Sequence, residues 1–142
     1  VTEESLKLFV HQLIRDEALR LTPYADSVGV LTIGVGHNLY AKPITERAAM
    51  VILEDDIADA LTDLDRALPW WRDMDEVRQM VLANMCFNVG ITKLLEFKNT
   101  LEAMKRGDYR MAALGVTNSK WFTQVGERAK RLVRMMQTGE LE

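Results

Sequence analysis

The chain has 142 residues, 48% apolar and 27% charged, enough for one compact domain with its own core and too apolar for a disordered polymer. It contains no run of about 18 apolar residues that would span a membrane, its opening letters are not expected to act as a leader, and its one cysteine, Cys86, cannot close an internal disulfide. The net charge of −3 is uneven: residues 1–92 carry −7 and residues 93–142 carry +4, which reads either as solvated helix faces or as a guide onto an anionic polymer. Nucleic acid is not an expected partner, because the basic excess is small and no basic run is interleaved with aromatics.

In chain order, Thr2 can cap a helix with Glu3 and Glu4 in its first turn. Leu6, Phe9, Val10, Leu13 and Ile14 recur at spacings of three and four, which predicts one buried helix face fading at 15–18, ahead of Pro23. Asp26-Ser27-Val28-Gly29 is a turn set, and the alternation over 30–36 predicts short strands in a hairpin, the one β signal in the chain. Thr45 should cap a helix whose stripe is Ala48, Ile52, Ile57, Ala60, Leu61 and Leu64, limited by Pro69. At about 20 residues it would run about 30 Å, enough to bridge two lobes.

Asp75 should cap a helix over 76–89 that ends at Gly90. Its apolar residues Val77, Met80, Val81, Leu82, Met85, Cys86 and Phe87 surround the axis and predict a helix inside a lobe. Shorter helices are expected at 92–95, 98–106, 108–114 and 118–122, then a last one over 126–138, with Gly107-Asp108 as a stop and restart. The predicted fold is α+β and mostly helical, a single domain over 1–142. A small hairpin lobe (about 17–50) and a long bridging helix (about 45–68) lead to a larger all-helical lobe (about 69–142) that includes the N-terminal helix. A cleft between the lobes is the expected binding site.

Glu17, Asp26 and Thr32 stand out within this frame. Glu17 falls at a helix end, where the dipole opposes a second negative charge and favours the protonated form that a general acid requires. Asp26 lies in a turn beside amides that favour its ionised form, so the two carboxyls are suited to opposite roles. Thr32 could hold a water in line with a carboxylate. Spacing alone leaves open whether these residues form a reaction site or solvated turn polarity.

The surrounding letters add more. "RDEALRLTPYADSVGVLTIGVGH" resembles the active-site segment of phage-type lysozymes, the glycoside hydrolases of tailed-phage endolysins: Glu, eight residues, Asp, five residues, Thr. The likeness continues in "NMCFNVG", "EFKNTLEAMKRGDYRMAA" and "SKWFTQVGERAKRL", in order along nearly the whole chain. The stretch between His37 and Pro43 is short beside the longest members, which implies a reduced small lobe. The resemblance implies a lysozyme-like two-lobe fold and an inverting N-acetylmuramidase that cuts the β-1,4 bond of peptidoglycan. Glu17 would be the acid, and Asp26 and Thr32 would position the water. It further implies that Gly36, Phe87 and Asn88 contact substrate and that Arg128 partners the catalytic Glu. For Phe87 a core role is equally open, and Asn88 could simply end a helix. Rival readings are a lytic transglycosylase and a silent peptidoglycan-binding module of a phage or prophage.

No cofactor and no metal are expected, since the two histidines have no companion ligands at suitable spacing. His37 is expected to pair with an acid such as Asp56, His11 to lie on the surface, and Cys86 and Trp121 to be core; Trp70 and Trp71 should pack where two helices meet. The implied setting is a monomer made in the host cytoplasm, without stable membrane insertion, reaching the wall with the help of a holin.

Overall fold

In a computed structural model covering residues 1–142, eight α-helices and a small antiparallel sheet give the expected α+β class. The chain divides into two compact units, 1–51 and 52–142, and no helix is long and apolar enough to cross a membrane.

The first unit opens with α1 (Glu3–Glu17). Thr2 caps it as predicted, its hydroxyl accepting from the Ser5 amide at 3.1 Å. Its apolar stripe, however, is not sealed within its own unit: Leu6, Phe9, Val10, Leu13 and Ile14 all remain exposed there. The three short strands of this unit offer no apolar face of matching length. The strands form a meander, β1 (Arg20–Ala25), β2 (Leu31–Gly34) and β3 (His37–Asn38), in the order β1-β2-β3. Tyr24 pairs with Thr32, Arg20 with Gly34, and Ile33 with His37.

β1 is a strand that periodicity did not announce. It is almost wholly exposed, carries Pro23 and breaks register between Arg20 and Tyr24; an edge strand needs neither alternation nor every ladder donor. Within this unit His37 Nε2 lies 2.9 Å from the Lys42 carbonyl oxygen.

α2 (Glu46–Ala67) begins where Thr45 accepts from the Ala48 amide at 3.1 Å, and the boundary between the units falls within it. The second unit continues through a 3-10 turn (Trp71–Asp73) to α3 (Glu76–Val89), α4 (Ile91–Leu94), α5 (Lys98–Lys105), α6 (Tyr109–Thr117), α7 (Lys120–Val125) and α8 (Glu127–Thr138). Asp75, Asp108 and Ser119 cap α3, α6 and α7 through their side chains. Gly90 follows α3 at φ +83°, a backbone that side-chain-bearing residues avoid. Val81, Leu82, Met85, Leu94, Met104, Val116 and Met136 are sealed at the centre; burying each contributes roughly 1.5–3 kcal/mol. Trp71 is buried and its indole donates to Asp65 Oδ1 at 2.7 Å, so its role here is packing. Arg72 and then Trp71, donating to Asp65, hold that carboxyl below the usual carboxylate range.

Arg78 ties α3 to the far end of α8. Its guanidinium donates to the carbonyls of Met136 (2.7 Å) and Gln137 (3.0 Å), pairs with Asp75 Oδ1 (3.1 Å), and lies 3.9 Å over the Tyr109 ring. Those carbonyls have no partner inside the helix, so the arginine caps α8 from another element. Arg78→Met should cost about 2–3 kcal/mol and lower Tm by roughly 5–10 °C in a thermal melt. For Asp75, burial pushes upward, but the Arg78 guanidinium and amide prevail and lower its pKa. A lowered folded value stabilises above the unfolded pKa of about 3.9 and is lost as pH falls through the folded value. The Tm gap between the wild type and Asp75→Asn should therefore be full at neutral pH and shrink on acidification below about pH 4.

Candidate functional site

Within the first unit, the turn from α1 into β1 decides where Glu17 goes. Glu17 is the last residue of α1, and its carboxylate lies against Gly36. A methyl group on Gly36 would stand 2.9 Å from Glu17 Oε2 and 3.0 Å from Cδ, and Gly36 itself has φ +64°. Only glycine meets both demands. The residue after Glu17, Ala18, also has positive φ, at +67° with ψ 153°.

Asp26 and Thr32 are brought together by one residue between them. The Val30 amide donates to Asp26 Oδ1 at 2.8 Å, and the Thr32 hydroxyl donates to the Val30 carbonyl at 2.9 Å. The Asp26 amide also donates to that carbonyl at 2.9 Å, and the Val28 amide donates to Asp26 Oδ1 at 2.9 Å. Both side chains are thus fixed on the Val30 peptide groups. Thr32 is buried, only 4% exposed, so its rotamer is held by packing as well.

These bonds have a chemical consequence. The one hydroxyl proton of Thr32 is engaged, so its oxygen can only accept from a further partner. An ionised Asp26 also only accepts, and both its protein bonds fall on Oδ1. A water shared by the two must donate both protons to them, which leaves a lone pair aimed elsewhere. That is the state of a water prepared to attack an electrophile.

Within the second unit, an apolar groove of about 410 Å³ is lined by Ile57, Leu61, Met80, Asn84, Phe87 and Arg128, among others. Phe87 is 43% exposed, so it forms a wall of the groove and not part of the core. Arg128 donates from Nε to Asn84 Oδ1 at 2.8 Å and, more weakly, from Nη2 to the Asn84 carbonyl at 3.4 Å. Asn88 does not share these bonds: its Oδ1 accepts from the Trp121 indole at 2.8 Å, which leaves the amide NH₂ for another acceptor. Trp121 is core as expected, 6% exposed, and meets Phe97 edge to face at 6.5 Å.

Asn84 and Val30 are participants that the motif reading passed over. Asn84 lies four residues before Asn88, one helical turn away on the same face, a signal that was present in the letters. Val30 acts through its backbone and leaves no mark on residue type. Cys86 is buried, and burial first, then the charge of Asp63, pushes its thiol pKa upward. It is packing, not a nucleophile.

The phage lysozyme family model matches residues 15–138. The pre-baseplate central spike protein Gp5 of Enterobacteria phage T4 is 32% identical over 92% of this chain, which spans only 28% of that protein. "Probable T4-type lysozyme 2" of Dictyostelium discoideum is 28% identical over 89% of this chain and 92% of its own length. The SAR-endolysin of Escherichia phage Mu is 27% identical over 85% of this chain and 70% of its own. With the match running through all but the first 14 and last four residues, the chain belongs to the phage lysozyme family and is a glycoside hydrolase of the lysozyme class.

Proposed function

We propose that this chain hydrolyses the β-1,4 bond between N-acetylmuramic acid and N-acetylglucosamine in peptidoglycan, with inversion at the anomeric carbon. Glu17 gives its proton to the leaving oxygen. Asp26 takes a proton from the water that it and Thr32 orient, and the water oxygen attacks the anomeric carbon from the opposite face. Inversion calls for carboxyls roughly 6.5–9.5 Å apart, so that the water fits between acid and base.

The observation that carries the reading is the shared anchoring of Asp26 and Thr32 on Val30. A base and a hydroxyl held on the same residue present two acceptors to one water. A mechanism that leaves an anhydro sugar has no use for that arrangement. On the second unit, Phe87 supplies a flat apolar wall for a sugar ring, and the free NH₂ of Asn88 a donor for an acetamido carbonyl. The enzyme acts as a monomer and reaches the wall after a holin-type partner has opened the membrane.

Glu17→Gln should reduce turnover on purified walls by at least about 10³-fold while the thermal melt stays close to that of the wild type. A variant retaining a tenth of wild-type turnover would remove Glu17 from the acid role. Thr32→Val should lose about tenfold or more, less than Asp26→Asn in the same turbidity assay. Products should carry the mass of one added water, and NMR taken before mutarotation should show the α-anomer at the new reducing end. Anhydro products would establish the transglycosylase instead, and a β-anomer would establish retention.

A further inference from the structure

Ala18 has the one non-glycine backbone of the chain with positive φ. Its pairing of φ +67° with ψ 153° falls in a region occupied almost only by glycine, because a Cβ there crowds the neighbouring peptide groups. The side chain is exposed, so no packing of its methyl explains why alanine is held in this shape.

The position of the strain is informative. The Ala18 amide still donates to the Ile14 carbonyl at 2.9 Å, so the chain is helical up to that nitrogen. Two residues later Arg20 is already paired with Gly34 in the sheet. The change of direction from α1 to β1 is therefore concentrated in the torsions of Ala18 and Leu19. Glu17 lies immediately before this pivot, and Gly36, which its carboxylate touches, belongs to the sheet region after it.

We propose that Ala18 is a positioning residue: its left-handed backbone turns the end of α1 so that the Glu17 carboxylate rests on Gly36. The inference rests on the reading of Glu17 as the proton donor. Relaxing φ from +67° to the usual value near −65° would swing the preceding chain through about 130° about the Ala18 N–Cα bond. Glu17 would leave Gly36. The strain persists because the unstrained backbone cannot aim the acid.

The test uses the full chain with Ala18→Gly and Ala18→Val, and Glu17→Gln as reference. Glycine accepts the observed torsions, whereas a β-branched residue is driven out of them. Ala18→Gly should keep kcat within about twofold of wild type and raise Tm by a few degrees. Ala18→Val should lower kcat by about 30-fold or more with KM within about threefold, since misplacing a catalytic group by an ångström costs on the order of 10²-fold. The Gly36 amide resonance should shift on Glu17→Gln in the wild-type and Ala18→Gly backgrounds but not with Ala18→Val. An Ala18→Val enzyme that keeps more than a third of wild-type kcat overturns the proposal, provided Glu17→Gln is inactive; an active Glu17→Gln enzyme overturns the proton-donor reading itself. Should Ala18→Val fail to fold, the glycine variant decides: kcat lowered tenfold or Tm unchanged rejects the proposal, and wild-type kcat with a raised Tm upholds it.

Discussion

Two hydrogen bonds, one from the amide and one to the carbonyl of Val30, fix the side chains on which the proposed chemistry depends. The residue's amide holds Asp26 and its carbonyl holds Thr32, so a carboxylate from a turn and a hydroxyl from a strand are anchored on one residue. Backbone groups serve well for this purpose, because their positions are set by the ladder and the turn and carry no rotamer freedom of their own. The Asp26 amide closes onto the same carbonyl, so the turn cannot open without disturbing both side chains.

A second constraint acts on the acid. Glu17 ends a helix; Ala18, which follows it, and Gly36, which its carboxylate touches, are both at positive φ. One forces the chain direction and the other clears room for the carboxylate. Strain of this kind costs about 1–3 kcal/mol per residue and stands against a folding free energy of the order of 10 kcal/mol. The second unit can support such a cost: it encloses a large apolar core, and Arg78 locks the end of α8 onto α3. Stability and geometry are thus handled by different parts of the chain.

The contrast between relatives is informative about modularity. One relative, 32% identical, is a spike protein of which the chain spans 28%, and another, 28% identical, is named a probable T4-type lysozyme, of which it spans 92%. The candidate acid, base and hydroxyl lie within 16 positions of one another, from Glu17 to Thr32, and the hydrogen bonds that hold Asp26 and Thr32 are local to that segment.

The letters alone located the helices and several of their caps. Thr2, Thr45 and Asp75 announce helix starts by their chemistry, and the stripes that follow set the period. They also determined the candidate acid, base and hydroxyl, since Glu17, Asp26 and Thr32 sit at a spacing that a known family shares. They did not reveal β1, whose exposed edge residues have no alternation to read, nor that the α1 stripe is left exposed within its own unit, because amphipathicity records a preference for burial without naming what covers it. Only the tertiary structure could decide that Phe87 faces a groove, that Asn88 serves Trp121, and that His37 meets a carbonyl. Each of those outcomes depends on which groups are brought within about 3 Å, a property of packing that no local pattern contains. Ala18 is the sharpest case: alanine predicts an ordinary backbone, and only its place between a helix end and a strand holds it at positive φ.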